Sequence, residues 1–352
     1  MMINNLIIYL DKNRKLFNLP GNEKISIELH SPWRNSHNGT CQYIVYIGNK
    51  RTKQMVIKDN FSLYGIKCRC NPYKPQFHKV VGIFLPENLG VFSLNDTEFY
   101  WADWIQGKSL FSIISENPSD PDTWKILSDF VDKFSSMQIE TVSASSDYYN
   151  ELKELMNQKI TRKENSIFFG KFGENFDISL YQDPIKIPCS WSHGDLWSRD
   201  IFLSDKSWRI IDWEYCLNVA PLGSDIIDLY VTIAEQNLKI STPDAWRGFL
   251  FDEIPLLSQV RGKIFSFWAI AGFNDEQKKS VYLYALIRSI GRIISQDGTI
   301  NKSDLESYSQ IVSEITHDMK DIPLAVIQHK LRVIRNRCKL GWMLLVVNLH
   351  SR

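Results

Sequence analysis

Cysteine is scarce in this chain, and its spacing argues against a structural metal site. Only six of the 352 residues are cysteines, and only Cys68 and Cys70 lie close together. A structural zinc site needs two such pairs, or cysteines with suitably spaced histidines, and the sequence has neither arrangement. We therefore expect reduced, partly buried thiols in a cytoplasmic protein.

An excess of charge of one sign and long apolar runs are also missing. The chain has 41 Lys and Arg residues against 40 Asp and Glu residues, which gives no electrostatic reason to expect nucleic acid as a partner. No apolar stretch reaches the roughly 18 residues that a membrane span needs. The run Leu6–Leu10 lacks the basic segment and the cleavage site of a signal peptide. These absences favour a globular protein that is long enough for two lobes.

The first third of the sequence has β-strand patterns. Residues 41–58 predict a hairpin, because two runs rich in β-branched and aromatic residues flank a Gly-Asn turn. Residues 89–92 and 98–105 predict further strands. The pattern indicates a β-rich N-terminal lobe over residues 1–105.

Residues 106–352 are mainly helical in pattern. Asp120 is a predicted helix cap with Pro121 at the first helical position. The pairs Asn274 with Gln277 and Ser303 with Glu306 have the spacing of capping pairs at the starts of two amphipathic helices. The fold class that follows is α+β, with a β-rich first lobe and a mainly α-helical second lobe.

Three acidic residues in and after residues 192–200 carry the strongest chemical signal. Asp195 and Asp200 lie five residues apart on a predicted loop, and an apolar strand then leads to Asp212. Phosphoryl transfer needs one carboxylate to deprotonate the acceptor hydroxyl and others to hold the Mg²⁺ that neutralises the phosphates. The opposing interpretation is a loop in which His193 and Asp195 only bind nearby backbone.

These motifs resemble those of the aminoglycoside phosphotransferase and choline kinase-like family, which has a protein-kinase-like two-lobe fold. The match is carried by His193 and Asp195, by the position of Asp200, and by the run Ile211–Glu214. The resemblance implies that Asp195 is the catalytic base and that His193 braces the catalytic loop. It also implies Mg²⁺ bound by Asp212 and Asp200, and ATP or GTP as the phosphate donor.

Further site residues follow from the resemblance. It assigns the nucleotide to the following residues of the first lobe: Lys58, Asn38, Gly39, Asp103, Trp104 and Ile105. It also implies that Asp228 anchors the catalytic loop and that the acceptor is a small hydroxyl compound such as a sugar, an aminoglycoside or an amino alcohol. An ordinary hairpin loop explains residues 38–40 equally well.

The sequence Gly107-Lys108-Ser109 matches the end of a Walker A motif. Bulky residues occupy positions 104 and 105 of the would-be phosphate loop, and the position of its first glycine is Ala102. The segment instead resembles the family's hinge between the lobes, at residues 101–107, and the resemblance implies that the backbone N–H groups of residues 103–105 bind adenine.

Two departures from the family pattern keep other functions open. Asp200 stands where the family has asparagine, and its added negative charge predicts an unusual dependence on divalent metal. Residues 59–80 contain no glutamate to pair with Lys58. The alternatives are a nucleotide-binding pseudokinase and a non-catalytic interaction protein that keeps only the fold.

The acceptor site and the C-terminal segment are less specified. Glu214, Asp225 and Glu235 are candidates for an acidic acceptor pocket, or for solvated surface. Four aromatic residues near the motifs are candidates for stacking on an acceptor, or for core packing: Trp191, Trp197, Trp213 and Tyr215. The basic and then apolar segment from Pro323 onward predicts either docking on the protein body or contact with an anionic membrane.

Overall fold

A computed structural model describes residues 2–32, 41–59, 81–148, 150, 185–205, 207–213, 216–297 and 302–316. Asn38, Gly39, Glu214 and Tyr215 lie outside these ranges, as does the segment from Pro323 onward. The predictions made for these residues therefore stay predictions.

The first lobe is built on a five-stranded antiparallel sheet with the strand order β1-β2-β3-β5-β4. Its strands span the following residues: β1 Ile25–Pro32, β2 Cys41–Ile47, β3 Thr52–Asp59, β4 Leu89–Leu94 and β5 Thr97–Asp103. The predicted hairpin is confirmed as β2 and β3, and the two later predicted strands are confirmed as β4 and β5.

One face of this sheet forms the core of the first lobe. Alternate residues of a strand point to opposite faces, and on β3 and β5 the buried set is Met55, Ile57, Phe99 and Trp101. These residues pack in one apolar cluster with helix α1, Met2–Lys12, which the sequence pattern did not predict. The opposite face, which carries Lys58, is only partly buried.

The second lobe is mainly helical. Its helices span the following residues: α2 Leu110–Glu116, α3 Pro121–Ile139, α4 Ser224–Gln236, α5 Thr242–Phe251, α6 Ser258–Ile270, α7 Asp275–Asp297 and α8 Lys302–Thr316. Two small antiparallel sheets, ordered β10-β9-β6 and β11-β8-β7, join them. Their strands are β6 Lys108–Ser109, β7 Ser143–Ser145, β8 Ile187–Ser192, β9 Ile201–Ser204, β10 Ser207–Ile210 and β11 Leu217–Pro221.

Two of the three predicted helix starts are confirmed. The carboxylate of Asp120 accepts a hydrogen bond from the N–H of Asp122 at 2.9 Å, and Asn274 and Gln277 exchange two bonds of 2.9 Å each. Ser303 is not a cap, because α8 already begins at Lys302. No helix within the described ranges combines the length and the apolar content that crossing a membrane requires.

The crossing between the lobes uses the residues of the rejected Walker motif. A side chain at Gly107 would place its Cβ 2.4 Å from the carbonyl oxygen of Leu203, so the glycine allows close approach of two backbones. Lys108 and Ser109 form β6, and the Ser109 hydroxyl caps α2 by accepting from the N–H of Ser112 at 3.2 Å. The segment is thus a strand and a helix cap, not a phosphate loop.

Candidate active site

The predicted catalytic loop follows β8, and one carboxylate of α4 binds it through hydrogen bonds. Asp225 is fully buried and accepts four hydrogen bonds. The donors are the Ser192 hydroxyl at 2.6 Å, the His193 N–H at 2.9 Å, the Gly194 N–H at 3.1 Å and the Gln138 amide at 3.2 Å. Because three successive loop residues bind the same side chain, the loop takes its position from the helix.

These contacts change one interpretation from the sequence. Asp225 accepts three bonds from Ser192, His193 and Gly194 and a fourth from Gln138 of α3, and the anchoring role of Asp228, three residues later on α4, stays a prediction. Since it is buried and fully engaged, Asp225 does not line an acceptor pocket, and the acidic-pocket interpretation loses one of its three members. Glu235 is exposed.

His193 is buried and binds backbone on both sides of its ring. Its Nε2 lies 2.8 Å from the carbonyl oxygen of Ile211, and the N–H of Asp195 points to its Nδ1 at 3.4 Å. The ring also packs edge-on against Trp213, with 4.7 Å between the ring centroids. His193 therefore lies in a position to support the loop rather than to contact a substrate.

Asp195 is partly exposed, and its orientation is tied to Trp197. The indole Nε1–H of Trp197 donates to Oδ1 of Asp195 at 2.6 Å. The guanidinium of Arg199 lies over the same indole ring, 3.9 Å from its centroid. On another side of the loop, Arg288 of α7 donates a hydrogen bond to the carbonyl oxygen of Gly194.

Asp200 and Asp212 lie close to each other and to Asp195. The N–H of Ile211 donates to the carbonyl oxygen of Asp200 at 3.0 Å, which joins the loop to the end of the β9–β10 hairpin. Burial raises the pKa of Asp200 well above its ordinary value, and the charges of Asp212 and Asp195 raise it further. The three carboxylates therefore repel one another, and a cation would relieve that repulsion.

Asp212 has an unusual backbone conformation and a cationic partner. Its φ of 62° lies in the left-handed region, which costs a non-glycine residue about 1–3 kcal/mol. Burial by itself raises the pKa of Asp212, but the neighbouring ammonium of Lys58, together with smaller electrostatic contributions of His193 and Arg199, lowers the pKa overall. Strained residues of this kind cluster at functional sites.

Lys58 joins the two lobes. It lies at the end of β3 and forms an ion pair with Oδ1 of Asp212 in the second lobe. The side chains of Lys58 and Asp212 are 21% and 35% exposed, so the pair lies at a solvent-accessible cleft. The face of the first sheet that carries Lys58 therefore faces the second lobe.

The same face carries a small apolar surface that the sequence analysis missed. Lys58 is paired with Tyr100 across β3 and β5, and Val56 is paired with Ala102, so all four side chains share the cleft side. Val56, Tyr100 and Ala102 are partly buried. The available signal was the two-residue period of a β-strand, which places positions 56, 58, 100 and 102 on one face once the strands are predicted.

The hinge region directly follows this surface. The N–H of Asp103 donates to the carbonyl of Asn88, and the N–H of Trp104 donates to the carbonyl of Gln54, both at 2.9 Å. Burial raises the pKa of the Asp103 carboxyl, although a 2.6 Å bond from the Asn88 amide opposes the shift. Two of the three predicted hinge N–H groups are thus already used within the protein.

Comparison with solved structures identifies the fold. No protein-family model matches the chain, and no curated protein matches it by sequence. A thermostable mutant of the aminoglycoside phosphotransferase APH(4)-Ia, in its apo form, matches with a TM-score of 0.50 and 12% identity, over 88% of this chain and 97% of that chain. The chain has the aminoglycoside phosphotransferase fold. Amicoumacin kinase hAmiN, in complex with AMP-PNP, Ca²⁺ and Ami, matches with a TM-score of 0.52 and 10% identity, over 82% and 87% of the two chains.

In this aminoglycoside phosphotransferase fold, the cleft brings together four of the residues singled out from the sequence: Lys58, Asp195, Asp200 and Asp212. Trp104 and Ile105 lie at the crossing between the lobes, directly after β5. The aromatic residues Trp191, Trp197 and Trp213 are each less than 10% exposed, which favours packing over stacking on an acceptor.

The donor set of the cleft fits a divalent cation bound together with phosphates. Among the described residues, no group of three or more His, Cys, Asp and Glu side chains is arranged to hold a metal. Mg²⁺, however, is commonly bound by one or two carboxylates, with phosphate oxygens and water completing its shell. Asp200 and Asp212 supply two such carboxylates, and their repulsion is what a divalent charge would offset.

Proposed function

We propose that this protein is a magnesium-dependent phosphotransferase that moves the γ-phosphate of ATP or GTP to a hydroxyl group of a small molecule. One observation carries the proposal. Lys58 of the first lobe and Asp212 of the second meet across the cleft, beside the mutually repelling carboxylates of Asp195 and Asp200. A cation and several carboxylates gathered at one open cleft are the groups that phosphoryl transfer requires.

Each of these residues has a distinct role in the proposed reaction. Asp195 accepts the proton of the acceptor hydroxyl, whose oxygen bonds to the γ-phosphorus as the bond to the β–γ bridging oxygen breaks. Asp200 and Asp212 would hold the Mg²⁺, which would neutralise part of the phosphate charge. Lys58 binds the α- and β-phosphates. His193 and Asp225 keep the loop in place, and neither contacts the reacting atoms.

We place the nucleotide base on the apolar cleft face formed by Val56 and Ala102. The small side chain of Ala102 gives a flat ring room to approach β5. Because the N–H groups of Asp103 and Trp104 already donate to protein carbonyls, the hinge donor in this proposal is the N–H of Ile105.

We propose a small hydroxyl compound as the acceptor, in keeping with the two structural neighbours, which are named as a phosphotransferase of aminoglycosides and a kinase of amicoumacin. Sugars, aminoglycosides and amino alcohols remain the classes to test. The engagement of Asp225 with the loop removes part of the case for a strongly cationic acceptor.

The second candidate is a nucleotide-binding pseudokinase, and one contact favours it. Lys58 binds Asp212 directly, which places an ammonium group where a metal ion would bind. In an active enzyme, the nucleotide and its metal must separate this pair.

Thermal unfolding with ATP or GTP, with and without Mg²⁺, separates the candidates. A ligand present at a hundred times its Kd stabilises the folded state by about 2.7 kcal/mol, which is a shift of several degrees. We expect a Mg²⁺-linked shift in the wild type and in Asp195→Ala, with nucleotide consumption in the wild type alone across a panel of acceptors. A shift without consumption supports the pseudokinase. No shift at all excludes both candidates and leaves a non-catalytic interaction protein.

A further inference from the structure

The hydrogen bond between Trp197 and Asp195 joins a buried indole to a carboxylate of the candidate active site. The indole N–H is a donor only, and here it donates at 2.6 Å to a carboxylate that lies at the open cleft. The Trp197 ring itself is 8% exposed, so the bond is made by a buried group to a more accessible one. A bond of this length to a charged acceptor is among the stronger hydrogen bonds of proteins.

The main chain of Trp197 binds the main chain of Asp200, the second acidic residue of the loop. Its carbonyl oxygen accepts a hydrogen bond from the N–H of Asp200 at 3.0 Å. One residue thus contacts Asp195 through its side chain and Asp200 through its backbone. The spacing between these two acids depends on where Trp197 lies.

The indole ring is itself held in place. The Arg199 guanidinium covers one face of the ring at 3.9 Å. A cation over an indole is the most favourable of the cation–aromatic pairs. Removal of the indole therefore removes both the donor to Asp195 and the surface on which Arg199 rests.

We propose that Trp197 is a positioning residue that fixes the orientation of the Asp195 carboxylate, an inference that rests on the proposed role of Asp195 as the base. An aspartate side chain without such a bond turns about χ2, whose energy profile is broad. With Oδ1 held by the indole, Oδ2 points in one direction, and the acceptor proton meets a base that is already aligned. Misplacement of a reacting group by about 1 Å lowers a rate about a hundredfold.

Two substitutions of Trp197 separate the hydrogen bond from the packing. Trp197→Phe keeps most of the ring volume and loses the N–H. Trp197→His loses volume but keeps a donor, because the imidazole Nε2 overlays the indole Nε1 when the five-membered rings are superposed. A role in positioning makes the histidine variant the faster enzyme, whereas a role in packing alone makes the phenylalanine variant the better one.

Trp208 offers a matched control. Its indole also donates to a carboxylate, Asp129 at 3.1 Å, and its ring is 4% exposed on β10. Trp208→Phe therefore removes the same kind of bond from a similarly buried ring, but the acceptor of that bond lies on α3 and not on the catalytic loop.

The assay is phosphate release from MgATP with water as the acceptor, measured for kcat and for the KM of MgATP. We expect Trp197→Phe to lose about ten- to hundredfold in kcat with KM within about twofold, and Trp197→His to stay within about threefold of the wild type. Trp208→Phe should keep its kcat.

Several results would overturn the inference. One is an equal kcat for Trp197→Phe and Trp208→Phe. If Trp197→His does not fold, this comparison is sufficient to test the inference. Another is a slower Trp197→His than Trp197→Phe. If the wild type neither releases phosphate in this assay nor transfers it to any acceptor in the panel, the proposed function is wrong and this inference fails with it. The other two results require an active wild type and leave the proposed function intact.

Discussion

Replacement of Asp225 by asparagine tests how the catalytic loop is held. The substitution keeps the size of the side chain and turns one of two accepting oxygens into an NH₂ group. Ser192 and Gly194 share Oδ1, while His193 and Gln138 share Oδ2. The Ser192 hydroxyl can turn to accept from the new NH₂ group, but the backbone N–H of Gly194 or of His193 then faces another donor in a fully buried site. Each unsatisfied buried donor costs about 1–3 kcal/mol.

The Gln138 amide can turn to present its oxygen, but its present bond of 3.0 Å to the carbonyl of Trp191 is then lost. We therefore expect a loss of about 2–4 kcal/mol in the free energy of unfolding, or roughly 4–8 °C in Tm at about 2 °C per kcal/mol for a large chain. Urea and thermal unfolding measure both quantities. Ser192→Ala, which removes one donor and leaves the carboxylate charged, is the control and should lose only about 1 kcal/mol. An asparagine variant as stable as this control would refute the reasoning.

The remaining predictions concern three other positions. Asp200→Asn should raise the Tm of the metal-free protein and reduce the further stabilisation by Mg²⁺ with ATP, because it removes one of three repelling carboxylates; an unchanged response to Mg²⁺ in a titration would count against this. Burial raises the pKa of Asp103, so the folded state holds its proton more tightly than the unfolded state, and its contribution to stability is lost as the pH rises through the raised pKa. In thermal unfolding, the Tm of Asp103→Asn relative to that of the wild type should therefore be higher at pH of about 7 than at pH of about 4. A difference in Tm that does not change with pH would contradict the assignment. Gly107→Ala should destabilise the protein by about 2–4 kcal/mol through contact with the Leu203 carbonyl, whereas Gly262→Ala in α6, where the added Cβ meets open space, should be neutral or stabilising in the same urea titration; equal effects would exclude the backbone contact as the cause.

Local patterns in the sequence predicted the parts of the fold that depend on near neighbours. The β2–β3 hairpin and the cap of α3 at Asp120 follow from residues a few positions apart, and both are confirmed. Helix α1 was missed because only Leu6 and Leu10 are buried on it, which is too short a stripe to separate from a chance apolar run. The three acids of the candidate site were found because they lie within eighteen positions of one another in the sequence.

Contacts between distant residues were beyond the sequence pattern. Asp225 and Asp228 both lie buried on α4, and nothing in the spacing of the residues shows that Asp225 binds the loop some thirty positions earlier. The bond from Trp197 to Asp195 spans only two residues, yet it depends on the orientation of the indole ring, which the sequence spacing does not show. The pairing of Lys58 with Asp212 joins residues 154 positions apart in the sequence.

Strands β3 and β5 carry two interleaved sets of residues with separate tasks. Positions 55, 57, 99 and 101 build the interior of the first lobe, whereas 56, 58, 100 and 102 look out over the cleft. Evolution or design can therefore change the cleft surface by substitutions at every second position and leave the interior of the lobe untouched. A substitution one position further along either strand falls on the buried face, where it alters the stability of the fold and not the preference for a ligand.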